Sequence, residues 1–155
     1  MTSRTLTRVI LTPRERQVLQ GLSDGNPLAA VALGLNIREN TAAGYLKLAK
    51  SKLHGAHKTT EAIAIGYATR AIALPPPLCP ETLRIPDQER DLIPLIARGL
   101  GSAEMATELD QPVPRVRADG RALLKNLNAR NRNHLVTRAW QAQILTPDLV
   151  TTWLR

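Results

Sequence analysis

Arg117, Arg121 and Lys125 fall four residues apart. On a helix that spacing sets the three cations in one line, opposite the apolar positions Val116, Leu123 and Leu127. Arg115 stands beside them at the helix start. A guanidinium serves a phosphate as a fixed charge, and it meets guanine O6 and N7 as a bidentate donor worth roughly 1–3 kcal/mol of discrimination. A sparser set, Arg38, Asn40, Lys47 and Lys50, lies earlier in the chain, suited to phosphates or an occasional base. Charge over the whole chain has the same sign. Its 155 residues carry 21 Lys and Arg against 13 Asp and Glu, a net charge of +8, with a pI of about 10.6. Such an excess favours a polyanionic partner, nucleic acid before a membrane surface. A protein that merely happens to be basic has the same balance, and cations on an exposed helix face ordinarily do no more than solvate it. Arg outnumbers Lys sixteen to five, as high-GC codon usage or selection for phosphate and guanine contacts would each produce.

Other chemistries find little support. Cys79 is the one cysteine, so neither an internal disulfide nor a thiolate metal cluster is expected, and an inert linker residue is. His54 and His57 are spaced i, i+3, a metal-compatible interval, but no carboxylate or cysteine is expected near them and they read as surface histidines. No Ser/His/Asp set, phosphate-binding loop or carboxylate pair stands out. The expectation is a binding protein rather than an enzyme, with no cofactor and no metal. No apolar run approaches the length of a membrane span, and the opening "MTSRTLTRV" lacks a signal-peptide core, so a cytoplasmic protein without a membrane partner is expected.

The elements that must position these cations are written twice. "LTPRERQVLQGLSDG" at 11–25 returns seventy-four positions later as "IPDQERDLIPLIARG" at 85–99. Glu15, Arg16 and Gly25 recur as Glu89, Arg90 and Gly99, and the pairing continues without a gap through Ala32/Ala106, Leu35/Leu109 and Leu53/Leu127. This reads as the duplication of a small unit: domain 1 over 1–74, a Pro-rich linker over 75–84, and domain 2 over 85–155. Units this small sit near the lower limit for independent folding and gain from burying surface against each other. With 3% aromatic residues and no Phe, the cores must be aliphatic, which suits compact helices.

In domain 1, Arg4 and Arg8 lie on a short N-terminal arm. Thr12-Pro13-Arg14-Glu15 has the form of a capping box with proline in the first turn. A helix with Val18, Leu19 and Leu22 inward then stops near Gly25. A second helix is expected at about 27–34 with Ala29, Val31, Ala32 and Leu35 inward. "GLNI" gives a tight turn, and a third helix follows at about 38–53. Its inward stripe is Ala42, Leu46, Ala49 and Leu53, matched in domain 2 by Val116, Gly120, Leu123 and Leu127. A fourth helix at about 59–73, "TTEAIAIGYATRAIA", is apolar nearly all round. Such a helix needs cover on more than one side, and its twin at 133–145 is the nearest candidate. Ile63, Tyr67 and Ile72 are thus expected to pack on Val136, Trp140 and Ile144. Pro75, Pro76, Pro77 and Pro80 stiffen the linker, whose ten residues reach about 30 Å if extended, comparable to one turn of DNA, about 34 Å. Thr146-Pro147-Asp148 starts a last short helix expected to pack Leu149, Trp153 or Leu154.

Helix, tight turn, helix, between a supporting helix and a following one, resembles the LuxR/NarL-type (GerE-like) DNA-binding domain. Domain 1 carries the pattern in Leu11-Thr12-Pro13-Arg14-Glu15, Val18-Leu19, Gly25, Val31-Ala32, Leu35, Ile37, Thr41 and Lys52-Leu53. Domain 2 carries it more thinly in Glu89, Leu92-Ile93, Gly99, Met105-Ala106, Leu109, Val116-Arg117 and Leu127. Sigma-factor region 4 shares the same skeleton. The resemblance implies an all-α fold, two tandem four-helix helix-turn-helix domains forming an intramolecular pseudo-dimer. It also implies that the third helix enters the major groove of double-stranded DNA, with Thr41 in its motif. Its base-reading positions are Ala43, Gly44 and Lys47 in domain 1 and Arg117, Ala118 and Arg121 in domain 2. Ala43 and Gly44 replace two polar readers, leaving a thymine-methyl contact and a close backbone approach.

Domain 1, with ten basic and four acidic residues, looks like the electrostatic anchor; linker and domain 2 together (75–155), with eleven and nine, look like the sharper reader. Lys58 and Arg132 occupy matching places at the start of the fourth helices and suit phosphate clamps or ordinary surface cations. Asn26 and Ser102 stand near the start of the second helices, whose free amides can hold a phosphate. Gln111 replaces the core isoleucine of the turn, and Pro112 and Pro114 are expected to displace the helix start by a residue or two. The expected function is transcriptional regulation through two recognition helices in adjacent major grooves, on an asymmetric site. Alternatives are an architectural nucleoid-associated protein, or a module contacting RNA polymerase, a sigma factor or another regulator. The chain is expected to act as a monomer, with higher oligomers open.

Overall fold

The computed structural model describes residues 7–78 and 83–154, and every regular element among them is a helix. Thr12 caps α1 (Pro13–Ser23): its Oγ1 accepts from the Glu15 amide at 3.3 Å, and Glu15 Oε1 accepts from the Thr12 amide at 2.9 Å. α2 (Leu28–Gly34) and α3 (Glu39–Lys52) follow. The turn between them passes through Asn36 at φ 56°, a left-handed conformation that Asn adopts more readily than most residues. α4 (Thr59–Ala68) ends the first half.

The second half runs through the same succession. α1 has its counterpart in two pieces, α5 (Asp87–Arg90) and α6 (Leu92–Ala97). Pro94 has no amide to give the Arg90 carbonyl, and the helix is interrupted at Asp91. α7 (Ser102–Leu109) and α8 (Val113–Asn126) flank a turn through Asp110 at φ 53°, the position equivalent to Asn36. Pro112 is the N-cap of α8, as Arg38 is of α3. The prolines therefore leave the helix start where the pairing puts it, and the expected displacement does not occur. A proline at the cap or in the first turn loses only an amide that has no intrahelical partner. α9 (Arg132–Gln141) and α10 (Pro147–Trp153) complete the chain.

The gapless pairing holds through Leu53/Leu127, and beyond it, between the third and fourth helices, the pairing has a gap. α3 and α8 keep the offset that relates Glu15 to Glu89, but α4 is capped by Lys58 and α9 by Asn131, one position fewer apart. Lys58 and Arg132 therefore do not occupy matching places. The register that follows makes Tyr67 the equivalent of Trp140 and Ile63 the equivalent of Val136.

One apolar core runs through both halves, with Leu19, Leu53, Ile63 and Tyr67 in the same cluster as Ile93, Leu123, Leu127, Val136 and Trp140. α4 lies at its centre, against α1, α3, α6, α9 and α10, which explains why its sequence has no polar side. A satellite cluster of Val18, Leu22, Val31, Ala32 and Ala42 holds α1, α2 and α3 together. Ala29, expected inward, is exposed at the surface of α2. In α10 the fully buried residue is Val150, while Leu149 is exposed and Trp153 and Leu154 are partly buried. The first part of the Pro-rich linker is held against α9: the Leu78 amide donates to the Gln141 carbonyl at 2.9 Å, and Gln141 Nε2 donates to the Pro76 carbonyl at 2.9 Å. Arg4, Cys79 and Pro80 lie outside the described residues.

Candidate nucleic-acid interface

The first helix of each half fixes the end of the third through a buried carboxylate. Glu15, 2% exposed, accepts from Lys52 Nζ at 2.7 Å. Glu89, its equivalent, accepts from Asn126 Nδ2 at 2.6 Å. Burial pushes the Glu15 carboxyl up, but the Lys52 hydrogen bond and charge, with the Thr12 bonds, outweigh that and hold it below its ordinary value. These anchors set the rotation of α3 and α8, and so decide which faces look outward. The family pattern included Lys52 without giving it a role; its place opposite Glu15 does.

On α8 the outward face carries Arg117, Ala118, Arg121 and Lys125, with Val116 and Leu123 buried behind. Arg115 flanks this face, 3.9 Å from Asp119. Arg117, Arg121 and Lys125 have no ion-pair partner among the described residues. On α3 the outward face carries Asn40, Thr41, Ala43, Gly44 and Lys47, with Arg38 exposed at the cap. Its middle is more apolar than that of α8: Leu48 is 52% exposed, and Leu33 on α2 is 82% exposed. Lys50 is half-buried, and its ammonium is lowered by burial first and by the nearby Lys58 charge second.

Several candidate residues have structural partners. Asn26 Nδ2 donates to the Gly21 carbonyl at 3.2 Å, closing the end of α1. Arg132 donates from Nη1 to the Leu100 carbonyl at 3.2 Å and from Nη2 to Ser102 Oγ at 3.1 Å, so these two candidates are bonded to each other. Gly120, expected in the core stripe, has no neighbour within 4 Å of where a Cβ would stand. It lines a cleft of about 280 Å³ together with Ser102, Arg117, Arg121 and Arg132. His54 and His57 are exposed between α3 and α4, and the His57 amide donates to Glu61 Oε1 at 3.0 Å.

The halves meet through α4 and α9. The rings of Tyr67 and Trp140 lie 5.4 Å apart. The Thr137 hydroxyl donates to the Ser23 carbonyl at 2.7 Å, which leaves the Tyr67 hydroxyl as donor in its 2.8 Å bond to Thr137. Burial raises the Tyr67 phenol above its ordinary value against the opposing effect of these hydrogen bonds. Ile63 and Val136 are fully buried in the common core, Ile72 packs beside Gly66 in the first half, and Ile144 is partly buried against the core. The caps of α4 and α9 reach across reciprocally. Asn131 Nδ2 donates to the Gly25 carbonyl at 2.9 Å, and the Lys58 side chain lies over Gly99. A signal for these crossings was present in the two paired glycines, of which Gly25 was expected only to end a helix.

Helices α2 and α3, joined by the left-handed turn at Asn36, form a helix-turn-helix supported by α1 and α4. Residues 9–66 match the family model for bacterial regulatory proteins, luxR family, and thus carry a luxR-type helix-turn-helix domain. The match does not extend into α5–α10. No curated protein and no solved structure matches the chain. Among the described residues no helix is long and apolar enough to cross a membrane.

Proposed function

We propose that the chain is a DNA-binding transcriptional regulator, a binding protein and not an enzyme, built as a pseudo-dimer. In this reading the second half is a diverged copy of the luxR-type domain, and α3 and α8 enter adjacent major grooves of one duplex. The observation that carries the reading is the line of unpaired cations on the outward face of α8, the positional counterpart of α3 in the matched domain. Three positive side chains with no carboxylate partner among the described residues gain most from an anionic surface, and phosphate neutralisation with counterion release supplies the affinity. Arg117 and Arg121 add base readout. Lys47 and Arg38 contribute phosphate contacts in the first half, where Ala43 and Gly44 leave little for hydrogen-bonded reading.

Covalent linkage of the halves removes the association cost that separate subunits would face. Because α3 and α8 differ in sequence, the preferred site is asymmetric. Selection of bound duplexes from a random pool at two salt concentrations tests this. A non-palindromic motif with its better-defined half GC-containing is expected, and a perfectly palindromic motif counts against the reading. A steep loss of affinity with salt is expected as well.

The apolar exposed positions on the first half favour a second reading of that half alone. Leu33 and Leu48 beside Ala43 and Gly44 suit a protein contact, with RNA polymerase or another regulator as the partner, while α8 carries the DNA. Leu48→Ser distinguishes the two: on the first reading any change in transcriptional output follows a change in DNA affinity, on the second output changes with DNA affinity intact.

A further inference from the structure

A cleft lies between α8 and the start of α9 in the second half. Its polar lining is Arg117 and Arg121 from α8, Arg132 from α9 and Ser102 from α7, and it opens over Gly120. In the first half Leu28 stands where Ser102 does and Leu46 where Gly120 does, and both leucines pack onto the satellite core. Two leucine side chains are thus replaced by a hydroxyl and by nothing, and about 280 Å³ of space results. No carboxylate lines that space. Three guanidiniums facing one cleft repel each other, and water screens a recess less well than an open surface. Arg132 is also fixed in place: its two terminal nitrogens are tied to the Leu100 carbonyl and Ser102 Oγ. A planar guanidinium already held in position loses little freedom when it binds an anion. Arg132 also walls a neighbouring recess of about 340 Å³ that reaches Lys58, Thr60 and Glu104, whose carboxylate accepts from the Gly101 amide, leaving room for the body of a ligand larger than its anionic group.

We propose that this cleft is a phosphoryl-binding site. Arg117, Arg121 and Arg132 supply the charge, Ser102 a hydroxyl, and Gly120 the room. A phosphoryl group reaches it from either of two sources, a free phosphorylated small molecule or the backbone of bound DNA. Because Arg117 and Arg121 also face outward on α8, a free ligand in the cleft competes with DNA. That consequence rests on the DNA-binding reading; the site itself does not.

The test uses the full chain and inorganic pyrophosphate as probe, titrated by calorimetry at constant ionic strength, without DNA and then with it. The discriminating variant is Gly120→Leu. It rebuilds the leucine of the first half, keeps every charge, and replaces a mid-helix glycine by a strong helix former. A matched thermal melt shows whether it folds. The expected result is one-to-one binding of pyrophosphate, weakened about tenfold or more in Gly120→Leu, where the added side chain fills the cleft, and in Arg132→Gln, as loss of a charge-assisted contact implies, with DNA displaced by pyrophosphate. Absence of pyrophosphate binding combined with weaker DNA binding by Gly120→Leu assigns the site to a backbone phosphate. Equal pyrophosphate affinity in wild type and Gly120→Leu overturns the proposal, since diffuse charge then accounts for binding. So does the absence of any effect of Gly120→Leu on either ligand. Failure of the wild type to bind DNA at all refutes the proposed function separately, and the pyrophosphate titration still decides the cleft.

Discussion

Tyr67 and Trp140 hold the same position in the two halves and meet each other, ring against ring, with centroids 5.4 Å apart and planes inclined by 39°. In a twofold arrangement only a residue on the axis touches its own equivalent. On the proposed pseudo-dimer reading the pair marks a local pseudo-axis between α4 and α9, with the contacts of Asn131 to Gly25 and of Lys58 to Gly99 as its reciprocal crossings. Both rings belong to the core shared by the halves. Trp140→Ala is accordingly expected to cost about 3–5 kcal/mol, the range for an aromatic deleted from a core. Urea unfolding is expected to show one transition before and after the change. Two separated transitions, with the first half unaffected, would show that the seam is not shared. Tyr67→Phe is expected to cost less, about 1 kcal/mol, since it removes one hydrogen bond and keeps the ring.

The Glu15–Lys52 pair predicts an acid limb. Glu15 lies below its ordinary value of 4.5 in the folded chain, with the Lys52 and Thr12 bonds overcoming the opposing burial. A carboxyl lowered by folding adds stability above its unfolded value, and that stability is lost as pH falls through the folded value. Stability is thus expected to drop below about pH 4.5. Glu15→Gln is expected to flatten that limb and to cost roughly 1–3 kcal/mol at neutral pH, because Lys52 loses its charged partner. Chemical denaturation as a function of pH measures both. An unchanged slope in the variant would place the acid sensitivity elsewhere.

His134 predicts a second window at higher pH. Its Nδ1 accepts from the Arg130 amide at 3.0 Å. Burial first, then the Arg138 and Arg130 charges, lower the imidazole below 6.5, against a raising effect of Asp24. A base lowered by folding leaves stability intact above its unfolded value and lets it fall once the unfolded chain protonates. Stability is expected to begin falling near pH 6.5 on acidification. His134→Gln is expected to remove that component while leaving the Glu15 limb. A titration of the imidazole by NMR at or above its ordinary value would contradict the assignment.

On the proposed reading of α8, Arg117→Ala with Arg121→Ala is expected to weaken duplex binding by roughly 1–3 kcal/mol for each arginine, with lost sequence preference if bases are read. Each phosphate contact removed lowers the salt slope by about one. Lys47→Ala is expected to cost less and to leave preference unchanged. Fluorescence anisotropy over a range of salt concentrations, with circular dichroism to establish folding, gives these numbers. Undiminished affinity in the double variant would shift attention to the apolar surface of the first half.

How much of this was readable beforehand depends on the range of the interaction. The caps were legible because Thr12, Pro13 and Glu15 act within one turn. The helix order was legible because apolar positions repeat at helical spacing in each half. The break at Asp91 was missed although Pro94 stood in plain sight, since the pairing with an intact α1 overrode the local signal. The register change after α8 was missed for a related reason: loops absorb a deletion without disturbing the apolar pattern on which the pairing rests. Gly120 was assigned inward by analogy with Leu46, but a residue without a side chain does not fill the place that its equivalent fills. The partners of Asn26, Ser102 and Arg132 depend on contacts between elements, about which spacing along the chain says nothing. For α8 the outward face was legible through its complement, because Val116, Leu123 and Leu127 had to be buried.

Two glycines of the first half predict opposite outcomes for the same change. Gly25 has φ +89°, and a Cβ there would stand 3.0 Å from the Cβ of His134 and 3.2 Å from that of Arg130. Gly25→Ala must therefore strain the backbone and push the start of α9 away from α1, loosening the bond from Asn131 to the Gly25 carbonyl. Its cost is expected to exceed about 1 kcal/mol. Gly44 lies mid-helix on the outward face of α3 with nothing within 4 Å, so Gly44→Ala is expected to raise stability by about 0.5–1 kcal/mol through the intrinsic preference of alanine. DNA affinity then reports on the groove. If the backbone of α3 comes close to a base edge at this position, the added methyl lowers affinity while the melting temperature rises. That opposition separates a groove-facing glycine from an idle one: a variant gaining stability with unchanged affinity would remove α3 from the close approach.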